Sequence, residues 1–188
     1  APALLMMGAV NAIPVFQAVA MSGEFGRVAH DARLWASLGN TVLFTSVSVA
    51  LELAVGLGMA LILVVPFSGR GLVRAAVLIP WALPTAIMAM GWRWIFNPDF
   101  GVLGDLMFRF GLVGDPHLQW FAQPALAMAA CVIADVWKTA PFMAILMMSG
   151  LASIPAELYE AAAIDGAGPL RRFSLITFPL LVPTMLLA

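Results

Sequence analysis

Residues 40–65 read NTVLFTSVSVALELAVGLGMALILVV, an apolar run broken by one charge, Glu52. A helix rises about 1.5 Å per residue, so about 20 such residues cross the hydrocarbon of a bilayer. The apolar residues occur on all sides and do not alternate with period two, which excludes a barrel strand and predicts a membrane-spanning helix.

The same pattern recurs outward from this run. Stretches poor in charge predict spans over about 2–21, 40–65, 75–96 and 125–151, with a further one from 177 to 188 and onward. Pro14 is placed to kink the first, and Pro80 and Pro84 to weaken the third. Between them lie a mixed-charge loop near 24–33, a short turn over 66–74, a Gly/Asp/Pro-punctuated loop over 97–124 and a polar island over 153–176. The chain has 188 residues, of which 63% are apolar and 10% charged. Soluble domains carry about 25% charged residues, and a chain of this length has no core large enough to hide so much apolar surface. The expectation is an all-α, polytopic transmembrane helical bundle forming one domain over 1–188. Ala1 is not a start methionine and Ala188 lies inside an apolar run, so the bundle is expected to be incomplete at both ends.

A net charge of −1 gives no reason to expect a nucleic-acid partner, and Cys131, the single cysteine, supports neither a disulfide nor a metal site. Arg70 and Arg74 in 66–74, and Arg171 and Arg172 in the island, set those segments on the cytoplasmic side by the positive-inside rule. The loop over 97–124, with Arg109 against Asp99, Asp105 and Asp115, then faces outside.

The island carries its own structural instructions. Pro155 suits a helix start, with Ser153 or a neighbour as cap. Residues 156–165 are rich in helix formers, and Gly166 is a natural stop. Gly168 and Pro169 open a second helix that runs into the membrane. Ala161, Ala162 and Ala163 leave room for another backbone, while Glu160, Asp165, Arg171 and Arg172 offer charge to a partner or to lipid phosphates. An amphipathic connector lying on the membrane surface fits the same residues.

Glu160-Ala161-Ala162, then Gly166, then Ile176 and Pro179 at their spacings, resemble the EAA loop of binding-protein-dependent ABC importer permeases, with Phe178 where the pattern has Leu. Pro80-Trp81-Ala82-Leu83-Pro84, Trp92-Arg93-Trp94, Asn97-Pro98-Asp99-Phe100-Gly101, Val136-Trp137-Lys138 and Gly39-Asn40-Thr41 resemble the carbohydrate-uptake branch, the maltose and glycerol-3-phosphate permease class. The resemblance implies a type I importer permease in the prokaryotic cytoplasmic membrane. It also implies a second permease subunit, two ATP-binding subunits inside and an extracytoplasmic solute-binding protein. The ATPase would be gripped through Tyr159, Glu160, Ala161, Ala162, Asp165, Gly166 and Ala167. ATP and magnesium would be held by those partners, and this chain would carry no cofactor and no metal. It has no phosphate-binding loop of its own, no paired-cysteine motif and no HExxH, and it is expected not to be an enzyme.

Ionisable residues at membrane depth point to function by default. Glu52, Asp135 and Lys138, with Trp81 and Trp137, are the candidates for a substrate pathway. The competing reading has Asp135 and Lys138, one turn apart, as a self-neutralising pair, and Glu52 as an interhelical hydrogen-bonding group. Trp92, Trp94 and Trp120 are expected as interfacial anchors, Met147 and Met148 as packing or lipid-facing residues, and Gly56 and Gly58 as close-packing positions. The alternatives to a sugar importer are a secondary transporter or channel using the intramembrane charges as an ion relay, and an importer permease for another solute class.

Overall fold

The computed structural model describes residues 16–17 and 30–187. The expected first span, with Pro14, falls outside the described residues except for that pair, as do Glu24 and Arg27. By contact the chain divides into two units, Ala1–Leu43 and Phe44–Ala188. Every contact between helices described below lies within the second. Among the described residues all regular structure is helical.

Helix α1 (Ala32–Val64) begins well before the apolar run. The reason is local: the Asp31 carboxylate accepts a hydrogen bond from the Arg33 backbone N–H at 2.8 Å, capping the helix start. A reading based on charge-free length passes over such a cap. At the other end, Arg74 Nη2 donates to the Leu63 carbonyl at 2.8 Å and closes one of the last carbonyls of α1.

The expected third span is broken. Helices α2 (Arg70–Val77) and α3 (Ile79–Ala82) form one arm, and α4 (Thr85–Ile95) leaves it at 88°. Pro84 drives Leu83 out of the helical region, to ψ 136°, and has no N–H to continue the ladder. The loop over 97–124 is also more ordered than expected, because α5 (Val102–Arg109) forms inside it and carries an Arg109–Asp105 ion pair at 2.8 Å. Trp120 is not an interfacial anchor. It is buried, with its ring 4.9 Å from that of Phe96, in a small aromatic core under this loop. Trp92 stacks on Phe96 in the same core, whereas Trp94 is left 71% exposed, as an anchor would be.

Helix α6 (Pro124–Ala152) is the central rod. Helix packing in lipid relies on close backbone approach, since lipid tails are as apolar as leucine. Two glycines provide it. A Cβ on Gly56 of α1 would lie 2.8 Å from Met143 Cβ and 3.2 Å from the Ala140 carbonyl of α6. A Cβ on Gly150 of α6 would lie 2.6 Å from the Thr184 hydroxyl of the last helix. Gly58 has nothing within 4 Å and plays no such part. Ala60, Ala144, Met147 and Leu181 fill the core between these crossings.

The chain then runs through α7 (Ala156–Ile164) into α8 (Pro169–Leu187). The turn Phe173–Thr177 inside α8 is π-helical. It contains Leu175, four residues before Pro179, whose ring would clash with the Leu175 carbonyl; widening the turn relieves that clash. Among the described residues three helices, Ala32–Val64, Pro124–Ala152 and Pro169–Leu187, are long and apolar enough to cross a membrane, and the bent pair makes a fourth if it is one span.

Candidate functional site

The polar island folds as helix, elbow, helix. Its first helix, α7, has no side-chain cap: Pro155 occupies the cap position in extended geometry, and the Ser153 hydroxyl instead donates to the Gly150 carbonyl at the end of α6. Its C-terminus is closed entirely by backbone. Ala167 N–H donates to the Ala162 carbonyl at 2.8 Å and Gly166 N–H to the Ala163 carbonyl at 3.1 Å, the paired bonds of a Schellman motif. Gly166 sits at φ 75°, in the left-handed region where a side chain costs about 1–2 kcal/mol. The space around it is open, so the constraint is one of backbone rather than of volume.

No residue of α7 is buried. Glu160, Ala161, Asp165 and Gly166 are open to solvent, whereas Tyr159, Ala162 and Ala167 are partly covered. The Tyr159 hydroxyl lies 2.9 Å from the hydroxyl of Thr177, a buried residue of the π turn in α8. This bond joins the projecting helix directly to the irregular turn of the next span. Large apolar side chains stand beside the acids, with Ile164 at 88% and Leu170 at 86% exposure. Both the Tyr159–Thr177 bond and the Ile164–Leu170 surface escaped the sequence reading. Bare Ile and Leu in an otherwise polar island were the available signal for the second.

The five intramembrane candidates separate into different environments. Glu52 on α1 is buried, and its carboxyl faces that of Asp135 on α6. Asp135 and Lys138 do not form the expected ion pair. Lys138 Nζ instead donates to the Leu83 carbonyl at 2.7 Å and approaches the Trp81 carbonyl at 3.4 Å, at the break in the bent span. A lysine at the centre of a membrane helix costs roughly 2.5–3.5 kcal/mol, and a carbonyl without a donor in hydrocarbon costs several more. Each is the remedy for the other. Trp81 stacks on Phe142, with centroids 5.0 Å apart and planes 9° from parallel. Trp137 meets Trp92 edge-on at 5.7 Å.

A cavity of about 500 Å³ opens between α1, α4 and α6, lined by Phe44, Trp92, Arg93, Phe96, Phe121 and Asp135 among others. Of the five candidates, Asp135 is the one in its lining. Its walls combine aromatic rings with one cation and one carboxylate, the kinds of group that bind a polyol face and its hydroxyls.

A family model described as "Binding-protein-dependent transport system inner membrane component" matches residues 52–188. The chain is 46% identical over 162 residues to the trehalose/maltose transport system permease protein MalF of Thermococcus litoralis, covering 86% of this chain and 54% of that protein. It is 43% identical over 158 residues to the sulfoquinovosyl glycerol transport system permease protein SmoG of Agrobacterium fabrum, covering 84% and 50%. The chain thus spans about half the length of these curated relatives. A solved bacterial ABC transporter that imports the acidic polysaccharide alginate has the same fold, with a TM-score of 0.78 at 22% identity over 98% of this chain and 67% of that one.

Proposed function

Since the chain belongs to the family of binding-protein-dependent transport system inner membrane components, we propose that it is a permease subunit of an ATP-driven importer for a sugar or sugar-like solute. The solute class rests on relatives named for trehalose, maltose and sulfoquinovosyl glycerol transport. A gradient-driven carrier, the other reading of the intramembrane charges, is set aside by that family membership.

One observation carries the mechanism: a solvent-exposed helix, α7, joined by chain to α6 and by the Tyr159–Thr177 bond to α8. The partners are a second permease subunit, two ATP-binding subunits inside and a solute-binding protein outside. ATP and magnesium stay with the ATP-binding subunits, and this chain does no chemistry. Closure of the ATPase pair bears on Glu160, Ala161, Asp165 and Gly166, with Ile164 and Leu170 as apolar anchors. Tyr159, Ala162 and Ala167 pass the motion inward. The elbow keeps its angle because the Ala162 and Ala163 carbonyls are bonded across it, so α7 moves as a body and tilts α6 and α8 together.

For the pathway we assign Glu52, Asp135, Trp81 and Trp137 to solute-facing surfaces at one stage or another of the cycle. Lys138 acts there by holding backbone. The test is uptake in vesicles carrying the full complex with its binding protein. Solute accumulation should require ATP and survive collapse of ion gradients; accumulation that follows the gradient without ATP contradicts the proposal.

A further inference from the structure

The break at Leu83–Pro84 and the rod α6 are connected through one side chain. Pro84 has no N–H, and Leu83 is extended, so the carbonyls at the end of α3 have lost helical partners. Lys138, fifty-five residues on from Leu83, supplies the donor. Phe142, one turn further along the same face of α6, stacks on Trp81. Both contacts hold the end of the first arm, just before the break. Asp135 is engaged toward Glu52 and does not compete for the ammonium.

The position of this grip along α6 matters. The tight crossing with α1 lies at Ala140–Ala144, just past Lys138, where Gly56 lets the backbones meet. The crossing with α8 lies at Gly150, and α7 starts shortly after. From Lys138 to Ala152 is about 21 Å of helix. A tilt of α6 imposed at α7 therefore turns about the Gly56 crossing and displaces Lys138 the other way.

We propose that Lys138 is a positioning residue: its ammonium clasps the broken span in the bent form and ties that bend to the middle of α6, across the Gly56 crossing from the exposed helix. Motion arriving through α7 then opens or closes the angle between the two arms. The clasp stands on the contacts alone; its consequence for transport rests on the importer reading.

The experiment measures the bend directly. In a Cys131→Ala background, spin labels at Leu72→Cys on one arm and Met90→Cys on the other occupy positions 78% and 73% exposed. In the assembled complex the label distance should be narrowly distributed. Lys138→Met should at least double the width of the distribution and cut ATP-driven uptake about tenfold while ATP hydrolysis persists. Lys138→Arg should restore both. A narrow distribution in Lys138→Met overturns the clasp. Should that variant fail to assemble, Lys138→Ala, which also lacks a donor, is measured in its place, with broadening expected and an unchanged width overturning the proposal. If the unaltered complex takes up no solute with ATP, the importer reading fails, and the label distances still decide the clasp.

Discussion

Among the described residues, the elbow at Gly166 and the break at Leu83–Pro84 are two sharp bends held by opposite means. The elbow at Gly166 is closed by neighbouring backbone groups, Ala167 to Ala162 and Gly166 to Ala163, and needs only a residue that tolerates positive φ. The break at Leu83–Pro84 is closed by a charged side chain from a distant helix. The elbow stands outside the span, where a carbonyl left over by the backbone is hydrated without penalty. The break lies in a segment apolar enough for hydrocarbon, where no water serves and a donor must be brought in. An irregular turn therefore needs only local sequence in water, and a long-range partner in lipid.

The largest effect is expected at the close crossing of α1 and α6. Gly56→Leu drives a side chain into Met143 and the α6 backbone, and complex recovered on detergent extraction should fall to near nothing, while Gly58→Leu, with open space around it, leaves recovery unchanged. Next comes Lys138→Met, with its broadened bend. At the elbow, Gly166→Val imposes about 1–2 kcal/mol of backbone strain, a factor of roughly five to thirty in the population of the correct bend. Uptake per ATP should drop within that range, and Gly166→Asn should lose less, because Asn tolerates the left-handed region. The smallest effect belongs to Tyr159→Phe. Loss of one hydrogen bond costs about 0.5–1.5 kcal/mol, so uptake per ATP should fall about two- to tenfold, with Thr177→Ser near normal. A double variant Tyr159→Phe/Thr177→Val no worse than either single variant would mark the two hydroxyls as one unit.

The same contrast explains what the sequence disclosed. The elbow was readable residue by residue: Pro155, the alanine-rich helix, Gly166 and Pro169 act within a few positions of themselves. The break was half readable. Pro80 and Pro84 announced a weak span, but the clasp depends on the helical phase of α6 against α3, which no local pattern encodes. For that reason Lys138 was expected to pair with Asp135, one turn away, and is found on a carbonyl far away in sequence. Trp120 failed similarly, since a loop that looked merely punctuated folds a helix over it and buries it. The start of α1 was legible after all, in Asp31, but a search for charge-free length discards the very residue that caps the helix.

In the proposed mechanism the segment over 153–176 is the mechanical input of a permease powered by a partner. The most direct test is the ratio of solute taken up to ATP hydrolysed, measured in vesicles holding the complete complex with Gly166 or with Gly166→Val. Hydrolysis should continue while uptake falls about fivefold or more. A variant whose uptake and hydrolysis are both unchanged, or fall in strict proportion, contradicts that mechanism.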